Sequence, residues 1–335
     1  AMVVSKEDID DIEARFKVAA NCDWDMILPE WLEANTLTGN ASAEKEIVLK
    51  VKTDLLPEDV YSGNIEFIAK GTEASIKIVK ISIDSQAIAK NAEIYPAVIA
   101  DGEYIVKGEN DYEFSADQVS DAGHAMRVNA ANITEIDALF KVVTNFKRNI
   151  EAPEWIKPIE DQEVGESVVR LDVDYSKLPN EGGVEGELKI IDIAKSKAIS
   201  TLKLTISAEE LTPKVKIYPA MVEDGEYLLP EGESEFVVSY SSDVVSSEVP
   251  MIWPLENAWA DARLKVESNL PLNLVMAEWL SAGAELVAGV NELQLRADNT
   301  NLPKDKLSTE VKFVDAAKSE ERVISSVNLS YPGID

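Results

Sequence analysis

The amino-acid sequence predicts an all-β protein built from tandem antiparallel β-sandwiches. Short segments of period-two alternation recur along the chain, turns rich in Gly, Pro, Asn and Asp separate them, and no long helical pattern interrupts them. The chain has 335 residues, 45% of them apolar, which is more than one compact core usually uses. We therefore expect two or three domains.

The strongest signal is an internal repeat. One motif occurs three times, with Phe16, Phe140 and Leu264 at equivalent positions 124 residues apart. An asparagine follows each of these anchors at five residues, and a Glu-Trp pair follows with its tryptophan at fifteen. These residues are Asn21, Asn145 and Asn269, and Trp31, Trp155 and Trp279. We name this repeated segment the A unit.

Each A unit continues with two strands of alternating polarity joined through a Leu-Pro turn, since proline cannot donate to a central ladder. Apolar side chains of each strand share one face, which we expect to be core. The core residues are Ile47, Leu49, Val51, Ile65 and Phe67 in the first copy, Val169, Leu171, Val173, Leu188 and Ile190 in the second, and Leu293, Leu295, Ala297, Val311 and Phe313 in the third. The turns are Leu56-Pro57, Leu178-Pro179 and Leu302-Pro303.

Copies two and three also share a short polar connection before their last strand. It reads Asp192-Ile-Ala-Lys-Ser196 in the second copy and Asp315-Ala-Ala-Lys-Ser319 in the third. We expect it to form a hairpin.

A second unit, the B unit, occurs twice between the A units. Ile94-Tyr-Pro-Ala97 with Asp101-Gly-Glu-Tyr104 matches Ile217-Tyr-Pro-Ala220 with Asp224-Gly-Glu-Tyr227, every position shifted by 123. Asp-Gly between apolar runs predicts a β-hairpin. The B unit is too short to bury a core alone. It therefore either packs on the preceding A unit as one sandwich or forms a wedge between A units.

The predicted organisation is A-B-A-B-A. Repeat 1 covers 1–130 (A unit 16–84, B unit 91–120), repeat 2 covers 131–255 (A unit 140–207, B unit 213–245), and repeat 3 covers 256–335 with an A unit only, 264–332. Helix-start signals occur at two places, where one or two helical turns are expected: Ser5 to Phe16, and Asn132 to Phe140.

Charge and rare residues exclude several functions. The chain carries 62 acidic and 32 basic residues, a net charge of −30, which disfavours binding to nucleic acid or anionic lipid. With one cysteine and one histidine, an internal disulfide is excluded, and zinc sites and Ser-His-Asp triads are disfavoured. We predict no catalytic residue, no metal site and no cofactor.

The A unit resembles the BACON module. The resemblance is carried by Phe16-Lys-Val18, Asn21, Trp24 and Pro29-Glu-Trp31-Leu32, together with the strands that follow, and it covers about two-thirds of the chain, leaving the B units unexplained. BACON modules are small immunoglobulin-like β-sandwiches of Bacteroidetes, generally found in exported or surface-anchored proteins beside glycan-degrading or glycan-binding domains. The resemblance implies an immunoglobulin-like fold and either carbohydrate binding or a spacer role.

Tryptophans are the candidate ligand-binding residues, because an indole offers an apolar face to a sugar and a hydrogen-bond donor. Trp31, Trp155 and Trp279 recur in all copies, so we predict core positions for them, with a row of stacking platforms as the alternative. Trp24 becomes Arg148 and Leu272 in the other copies. Its presence in one copy only makes Trp24 the candidate ligand-binding residue.

Other reactive or ligating residues have ordinary interpretations. Cys22 stands where the other copies have Phe146 and Leu270, so we predict a buried, inert thiol. His124 is predicted to be a solvated loop residue. The acids of Asp172-Val-Asp174 alternate as in a calcium loop, but the motif lacks the required glycine and glutamate, and outward-facing strand acids account for them better. Calcium between the repeats is left open.

These features predict a non-catalytic, exported or surface-anchored modular protein that acts as a stalk or scaffold, with glycan or protein binding at one module. Its partner would be a polysaccharide or another surface protein. The alternative is a fragment of a glycan-active enzyme with catalytic acids hidden among the many carboxylates. No secretory signal follows Ala1-Met2. We expect an extracellular location, with a signal or lipid-attachment cysteine removed.

Overall fold

The structure of the protein, a computed structural model, consists of three antiparallel β-sandwiches in tandem. The described residues are 2–5, 8–57, 61–108, 111–116, 123–160, 163–232, 237–245, 247–253, 259–297, 302–318 and 321–333. The all-β prediction is confirmed, because strands account for every regular element of these residues except one 3₁₀ turn.

The first sandwich has two four-stranded sheets, ordered β1-β2-β6-β4 and β5-β3-β7-β8. Its strands are β1 (Val3–Val4), β2 (Ile12–Val18), β3 (Trp24–Ile27), β4 (Leu32–Ala34), β5 (Thr38–Gly39), β6 (Lys45–Val51), β7 (Ser62–Ala69) and β8 (Ser75–Ser82).

The second sandwich opens with the first B unit. Its strands are β9 (Ala92–Pro96), β10 (Ile99–Ala100), β11 (Glu103–Tyr104), β12 (Val106–Gly108), β13 (Asp111–Tyr112), β14 (His124–Ala125), β15 (Arg127–Val128), β16 (Ile136–Thr144), β17 (Arg148–Glu151), β18 (Gly165–Asp172), β19 (Val184–Asp192) and β20 (Lys197–Ile206), with the 3₁₀ turn at Tyr175–Lys177. One sheet is ordered β15-β16-β18 with β9 also paired to β16, and the other β14-β20-β19-β17.

The third sandwich repeats this arrangement. Its strands are β21 (Val215–Pro219), β22 (Val222–Glu223), β23 (Glu226–Tyr227), β24 (Glu248–Pro250), β25 (Ala260–Ser268), β26 (Leu272–Val275), β27 (Ser281–Ala282), β28 (Gly289–Ala297), β29 (Leu307–Asp315) and β30 (Val323–Tyr331). The sheets are ordered β21-β25-β28-β27 and β24-β30-β29-β26.

The cores lie between the sheets and use the residues that alternation predicts. All fifteen predicted core residues of the three A units are buried, with exposed fractions between 0% and 8%. A β-bulge follows Phe67, Ile190 and Phe313 at the same point of each repeat, just before the last hairpin. The internal repeat therefore extends from sequence to strand register.

The B unit belongs to the A unit that follows it. β9 pairs antiparallel with β16, placing Tyr95 opposite Lys141, and β21 pairs in the same way with β25. The expected grouping of 91–120 with 16–84, and of 213–245 with 140–207, is therefore wrong for the described strands. Alternation identifies a strand but does not say which free edge that strand joins.

The two Asp-Gly hairpins form as predicted. Asp101 and Gly102 have φ values of 52° and 81°, and Asp224 and Gly225 have values of 49° and 83°. Two successive positive φ angles are the type I′ geometry, which matches the twist of the flanking strands. Each turn delivers the tyrosine that follows it, Tyr104 or Tyr227, to the sandwich surface.

The expected helical turns do not form in the described parts of the two segments. Ile12–Val18 and Ile136–Thr144 are strands, and each pairs along its length with a neighbouring strand. Ser5 and Asp8 form a local hydrogen bond of the capping kind, Asp8 N to Ser5 Oγ at 3.3 Å, without a helix after it. Pairing and burial of alternate side chains thus outweigh a local start signal.

The described residues contain no helix with the length and hydropathy of a membrane span.

Candidate functional site

Trp24 is a core residue, so its assignment as a ligand-binding surface residue is wrong. Its side chain is 0% exposed and meets the Phe67 ring edge-on, with centroids 5.3 Å apart. Gly39 on the neighbouring strand leaves room for the indole, because a Cβ there would lie 2.4 Å from the ring. A sugar cannot stack on a ring that solvent does not reach.

The position of Trp24 is buried in every repeat, although the residue type changes. Arg148 is 0% and Leu272 3% exposed at the equivalent places. The Arg148 guanidinium donates to Thr144 Oγ1 and to the Gly165 carbonyl, both at 2.9 Å. The same core position thus accepts an indole, a hydrogen-bonded guanidinium or an isobutyl group. The occurrence of tryptophan in one repeat only therefore does not indicate a surface role.

The recurring tryptophans follow the core prediction in two repeats. Trp31 and Trp155 are 6% and 8% exposed and lie against glycines, Gly63 and Gly186, where a Cβ would approach the ring to 2.7 Å and 2.9 Å. In the third repeat Thr309 occupies the glycine position, and the half-buried ring of Trp279 packs on Tyr331 at 5.0 Å. Their superposition stays a prediction.

Cys22 is half-buried, so the prediction of a buried thiol is wrong. Its counterparts Phe146 and Leu270 are 0% exposed. Phe146 is covered by the linker that precedes its repeat, where Lys90 Nζ lies 5.2 Å from the ring centroid. Among the described residues, no such linker covers Cys22.

The junctions between repeats are held by equivalent polar contacts. Ile9 of the first repeat and Ile133 of the second are 4% and 1% exposed and belong to the core shared with the following repeat. Their backbone amides donate to the carbonyls of Asn145 at 2.9 Å and Asn269 at 2.8 Å. An isoleucine of one repeat is thereby fixed into the next, in the same way at both junctions.

Asparagine side chains hold the linkers. Asn145 accepts from the Asn91 amide at 2.9 Å and donates to the Ala89 carbonyl at 2.9 Å. Asn269 does the same with the Lys214 amide at 2.7 Å and the Thr212 carbonyl at 3.2 Å. The amide group suits this role because it presents one acceptor and one donor to backbone groups two residues apart.

Lys90 joins three segments at the first junction. Its ammonium group lies 3.0 Å from Asp10 of the first repeat and 2.7 Å from Asp192 of the second. The Asp192 side chain is only 2% exposed, so this carboxylate depends on its partners for charge compensation.

The two motifs that recur in sequence meet across the junctions. Lys195 of the Asp-Ile-Ala-Lys-Ser hairpin donates to the carbonyl of Leu56, in the Leu-Pro turn of the preceding repeat. Lys318, its counterpart, donates to the Leu178 carbonyl at 2.7 Å. The first repeat has Lys70-Gly-Thr72 in place of this hairpin motif. The motif therefore occurs in the two repeats that pack against a preceding one.

The second junction adds a buried tyrosine. Tyr175 donates its hydroxyl to Asp315 Oδ2 at 3.1 Å, and Arg322 donates to the same hydroxyl at 3.3 Å. Burial, followed by the negative charge of Asp315, raises the pKa of Tyr175 to about 12. Desolvation lowers the pKa of Lys318, which lies over the Tyr175 ring at 4.4 Å. The junction thus holds a neutral phenol at ordinary pH.

Each B unit is fixed to its sandwich by a tyrosine and a buried aspartate. Tyr104 donates to Asp137 Oδ1 at 3.0 Å, and Tyr227 donates to Asp261 Oδ1 at 2.8 Å. Asp137 also receives two hydrogen bonds from Arg127, at 2.8 Å and 3.1 Å. Burial and the adjacent carboxylate raise the pKa of both tyrosines. These hydrogen bonds fix each B-unit hairpin to the sandwich that follows it.

Clefts lie at corresponding places of the two junctions. The first, of about 280 Å³, is lined by Leu56, Pro57, Lys90 and Lys195 among others. The second, of about 240 Å³, lies beside Leu178, Pro179 and Arg322. Basic groups therefore face both clefts, and those of Lys90 and Lys195 are already engaged by the junction contacts.

The described residues contain no group of three or more His, Cys, Asp or Glu placed to hold a metal ion. Asp174 caps the 3₁₀ turn, accepting from Ser176 Oγ at 2.6 Å, and Asp172 pairs with Arg170 at 3.1 Å. The sequence left open a calcium ion between the repeats. At the described junctions, the charged groups include Lys90, Lys195 and Lys318, and no cluster of three carboxylates occurs there.

His124 lies on a short edge strand instead of a solvated loop, which corrects the sequence interpretation. Its ring meets Phe140 edge-on at 5.0 Å, and burial lowers its pKa. The preceding Asp121 and Ala122 lie outside the described residues. No nucleophile among the described hydrogen-bond partners adjoins the imidazole, and a core-facing edge position accounts for it.

Sequence reasoning missed the functional importance of the asparagine that follows each anchor by five residues. Its recurrence was visible, but period-two patterns report only which face is buried. The available sequence signal was this recurrence together with a short segment ahead of each B unit, 89–91 and 212–214. The bonds that join Asn145 and Asn269 to those segments are visible only in the structure.

A scan against protein-family models found no match, and a search of curated proteins found none. Solved structures similar to this chain include "Protocadherin Gamma B2 extracellular cadherin domains 3-6" (10% identity, TM-score 0.22, 99% of this chain and 97% of that chain). Others are "PcdhgB3 EC1-4" (10%, 0.20, 96% and 71%) and mouse clustered PcdhgC3 EC1-3 (12%, 0.20, 93% and 89%). Likeness at these TM-scores carries no argument for the fold or the function of this chain, which rest on its own strands and contacts.

Proposed function

We propose that this protein is a non-catalytic, exported or surface-anchored scaffold, in which three sandwiches form a stiff array that holds a binding partner at a distance. The observation that carries this proposal is the repetition of the same junction contacts. Ile9 and Ile133, Asn145 and Asn269, and Lys195 and Lys318 make equivalent bonds at two separate junctions.

Repeated junction contacts favour a fixed angle between successive repeats. A flexible tether needs none of these bonds, because a short polar linker alone permits the repeats to move independently. Each junction instead combines a buried isoleucine, a doubly bonded asparagine and a lysine bound to the preceding repeat. Contacts of this kind restrict motion between successive repeats, which suits a rigid spacer.

An exported or surface location is supported by the resemblance of the A units to the BACON module. The net charge of −30 agrees with a strongly solvated exterior. A carbohydrate-active enzyme is the alternative, but the described carboxylates that are buried form locks to tyrosine, arginine or lysine, as Asp137 and Asp192 do.

The partner is better sought among surface proteins than among polysaccharides. Trp24, the indole selected for sugar stacking, is fully buried, and the ring of Trp31 is nearly so. The partly exposed Trp253 donates its indole N–H to the Gly333 carbonyl at 3.2 Å, so its polar edge is already used.

Small-angle X-ray scattering of the whole chain tests this proposal. Three sandwiches in line give a maximum dimension on the order of 100 Å. A particle with a globular radius would contradict the scaffold proposal. A parallel activity screen on polysaccharides is expected to show no turnover, and measurable hydrolysis by the purified chain would favour the enzyme alternative.

A further inference from the structure

The first repeat has an open sheet edge where the other repeats have a strand. In the second and third repeats, β16 and β25 pair on that edge with β9 and β21 of the B units. In the first repeat, β2 pairs with β6 on one side. On the other side, within the described part of the chain, only Ile12 and Glu13 pair, with β1. Among the described residues, no strand lies beside Phe16–Val18 on this edge.

The missing strand leaves apolar surface uncovered. Phe16 and Val18 are half-buried, whereas Phe140 and Val142, their counterparts, are 0% and 1% exposed. A cleft of about 220 Å³ opens at this point, lined by Phe16, Val18, Ala20, Trp24, Phe67 and Val79 among others. In the second repeat, the side chain of Ile94 is buried in the core at 5% exposure.

The residues that hold the strand in the other repeats are present at this edge. Lys141 and Lys265 place their ammonium groups over Tyr95 and Tyr218, at 5.2 Å and 4.5 Å from the ring centroids. Lys17 is their counterpart and is exposed.

The asparagine that binds the linker backbone in the other repeats also has a counterpart here. Asn21 is the counterpart of Asn145 and Asn269 and is exposed, and no described hydrogen bond involves its side chain.

The backbone of the edge is positioned in the same way. The Leu139 carbonyl accepts from the Ala97 amide at 2.9 Å, and the Arg263 carbonyl accepts from the Ala220 amide at 2.8 Å. Arg15 occupies the place in β2 that Leu139 occupies in β16 and Arg263 in β25, so its carbonyl points to the open edge in the same way. Edge strands of this kind are templates for pairing with a further strand.

We propose that the edge Arg15–Asn21 is a docking site for an extended segment of another polypeptide that carries the B-unit pattern Ile-Tyr-Pro. The segment adds to β2 as an antiparallel strand. Its proline lies opposite Phe16, its tyrosine opposite Lys17 and its isoleucine opposite Val18, in the register that β9 and β21 show. This inference is independent of the scaffold function, since it concerns a surface that the junctions do not use.

The chemistry of each position specifies the segment. The isoleucine fills the apolar cleft, the tyrosine ring lies under the Lys17 ammonium, and Asn21 bonds the backbone of the residue three places before the isoleucine, as Asn145 bonds Asn91. Proline ends the pairing. The site would therefore recognise the side chains of an Ile-Tyr-Pro segment in addition to its backbone.

The test uses the intact chain and a synthetic peptide with the sequence of residues 89–97, followed by NMR. We expect saturable shifts of the backbone amides of Arg15–Asn21. A peptide with alanine in place of its tyrosine should bind about tenfold more weakly, because ring burial and the cation–π contact are lost together.

Matched variants locate the site. Lys17→Glu should weaken binding by about tenfold, whereas Lys50→Glu, the same charge change on the exposed face of β6, should leave it unchanged. Ala19→Pro removes a backbone donor at the edge and should abolish binding, with the amide spectrum of the rest of repeat 1 confirming that it still folds.

Three outcomes would overturn the proposal. The first is the absence of shifts at saturating peptide, and the second is equal binding by Lys17→Glu and Lys50→Glu. The third is self-association of the chain through this edge, which would assign the surface to a second copy; sedimentation velocity over a range of concentrations detects it.

Discussion

Lys90 and Asp192 form a salt bridge with an Nζ–Oδ1 distance of 2.7 Å, and the same ammonium group binds Asp10 of the preceding repeat at 3.0 Å. One side chain of a linker thereby connects the repeats on either side of it. Because Asp192 is buried, loss of the ammonium group would leave an uncompensated charge inside the second repeat, and the same group also orients that repeat on the first one.

Replacement of Lys90 by alanine should destabilise the second repeat by about 2–3 kcal/mol, because Asp192 is left buried without its cation. Urea unfolding measures the change. Lys17→Ala is the matched control: its bridge to Glu44 is exposed on both sides, and its loss should cost less than about 1 kcal/mol. Equal costs for the two variants would contradict the role of Lys90.

Replacement of Trp24 by alanine should destabilise the first repeat by about 3–5 kcal/mol, since a fully buried indole is replaced by a cavity. Thermal or urea unfolding of the chain checks this. Trp253→Ala, at a position 38% exposed, should cost clearly less. Retention of full stability by Trp24→Ala would show that the indole is not part of the core.

Gly63→Ala should destabilise the first repeat by about 1–3 kcal/mol, because the new methyl group would lie 2.7 Å from the Trp31 ring. Gly108→Ala is the control, since its nearest neighbour would be 3.8 Å away and its φ is not positive. The two variants are compared by denaturant unfolding. A neutral effect at Gly63 would mean that the indole moves without cost.

The stability of the second junction should fall at alkaline pH. The pKa of Tyr175 is raised to about 12, so the folded chain keeps the phenol neutral while an unfolded tyrosine ionises near 10. The stabilisation from the neutral phenol is complete below about pH 10 and is lost as the pH rises to about 12.

Urea unfolding across that pH range measures this loss. The decline should be less steep for Tyr175→Phe, which has no phenol to ionise at this junction, than for the unmodified chain. Identical slopes for the two proteins would refute the assignment.

The cores and the turns could be predicted from the sequence because alternation and turn chemistry are local. Leu49 and Leu171 are buried, and Asp101-Gly102 forms the expected hairpin, since each depends on residues within a few positions. Comparison of the copies also predicted which residues take the same place in each sandwich, because equivalent residues such as Phe16 and Phe140 must occupy equivalent strands.

The partners of strands and of single side chains could not be predicted in the same way. The edge that β9 joins is decided by contacts such as Tyr104 with Asp137, which are distant in sequence. The sequence interpretation of Trp24 is wrong because a residue type found in one copy only need not lie at the surface. Core positions accept varied side chains where a neighbour leaves room, as Gly39 does for this indole.

The exposure of Cys22 also could not be predicted by comparing the copies. Its position is buried in the later repeats by a linker, and the alignment of copies does not record whether that linker is present. The Lys-Ser hairpin motif was visible as a repeat, but its bond to the preceding Leu-Pro turn, from Lys195 to Leu56, became apparent only in three dimensions.

The stiffness of the junction is tested most directly by the distance between spin labels on Asn64→Cys and Glu187→Cys, equivalent exposed sites of consecutive repeats, in a Cys22→Ser background. Double electron–electron resonance should give one narrow distance distribution for this protein. The distribution should broaden when Lys90→Ala and Asn145→Ala are added, and should stay narrow with Asn21→Ala. A broad distribution before any junction residue is changed would contradict the account of a stiff array.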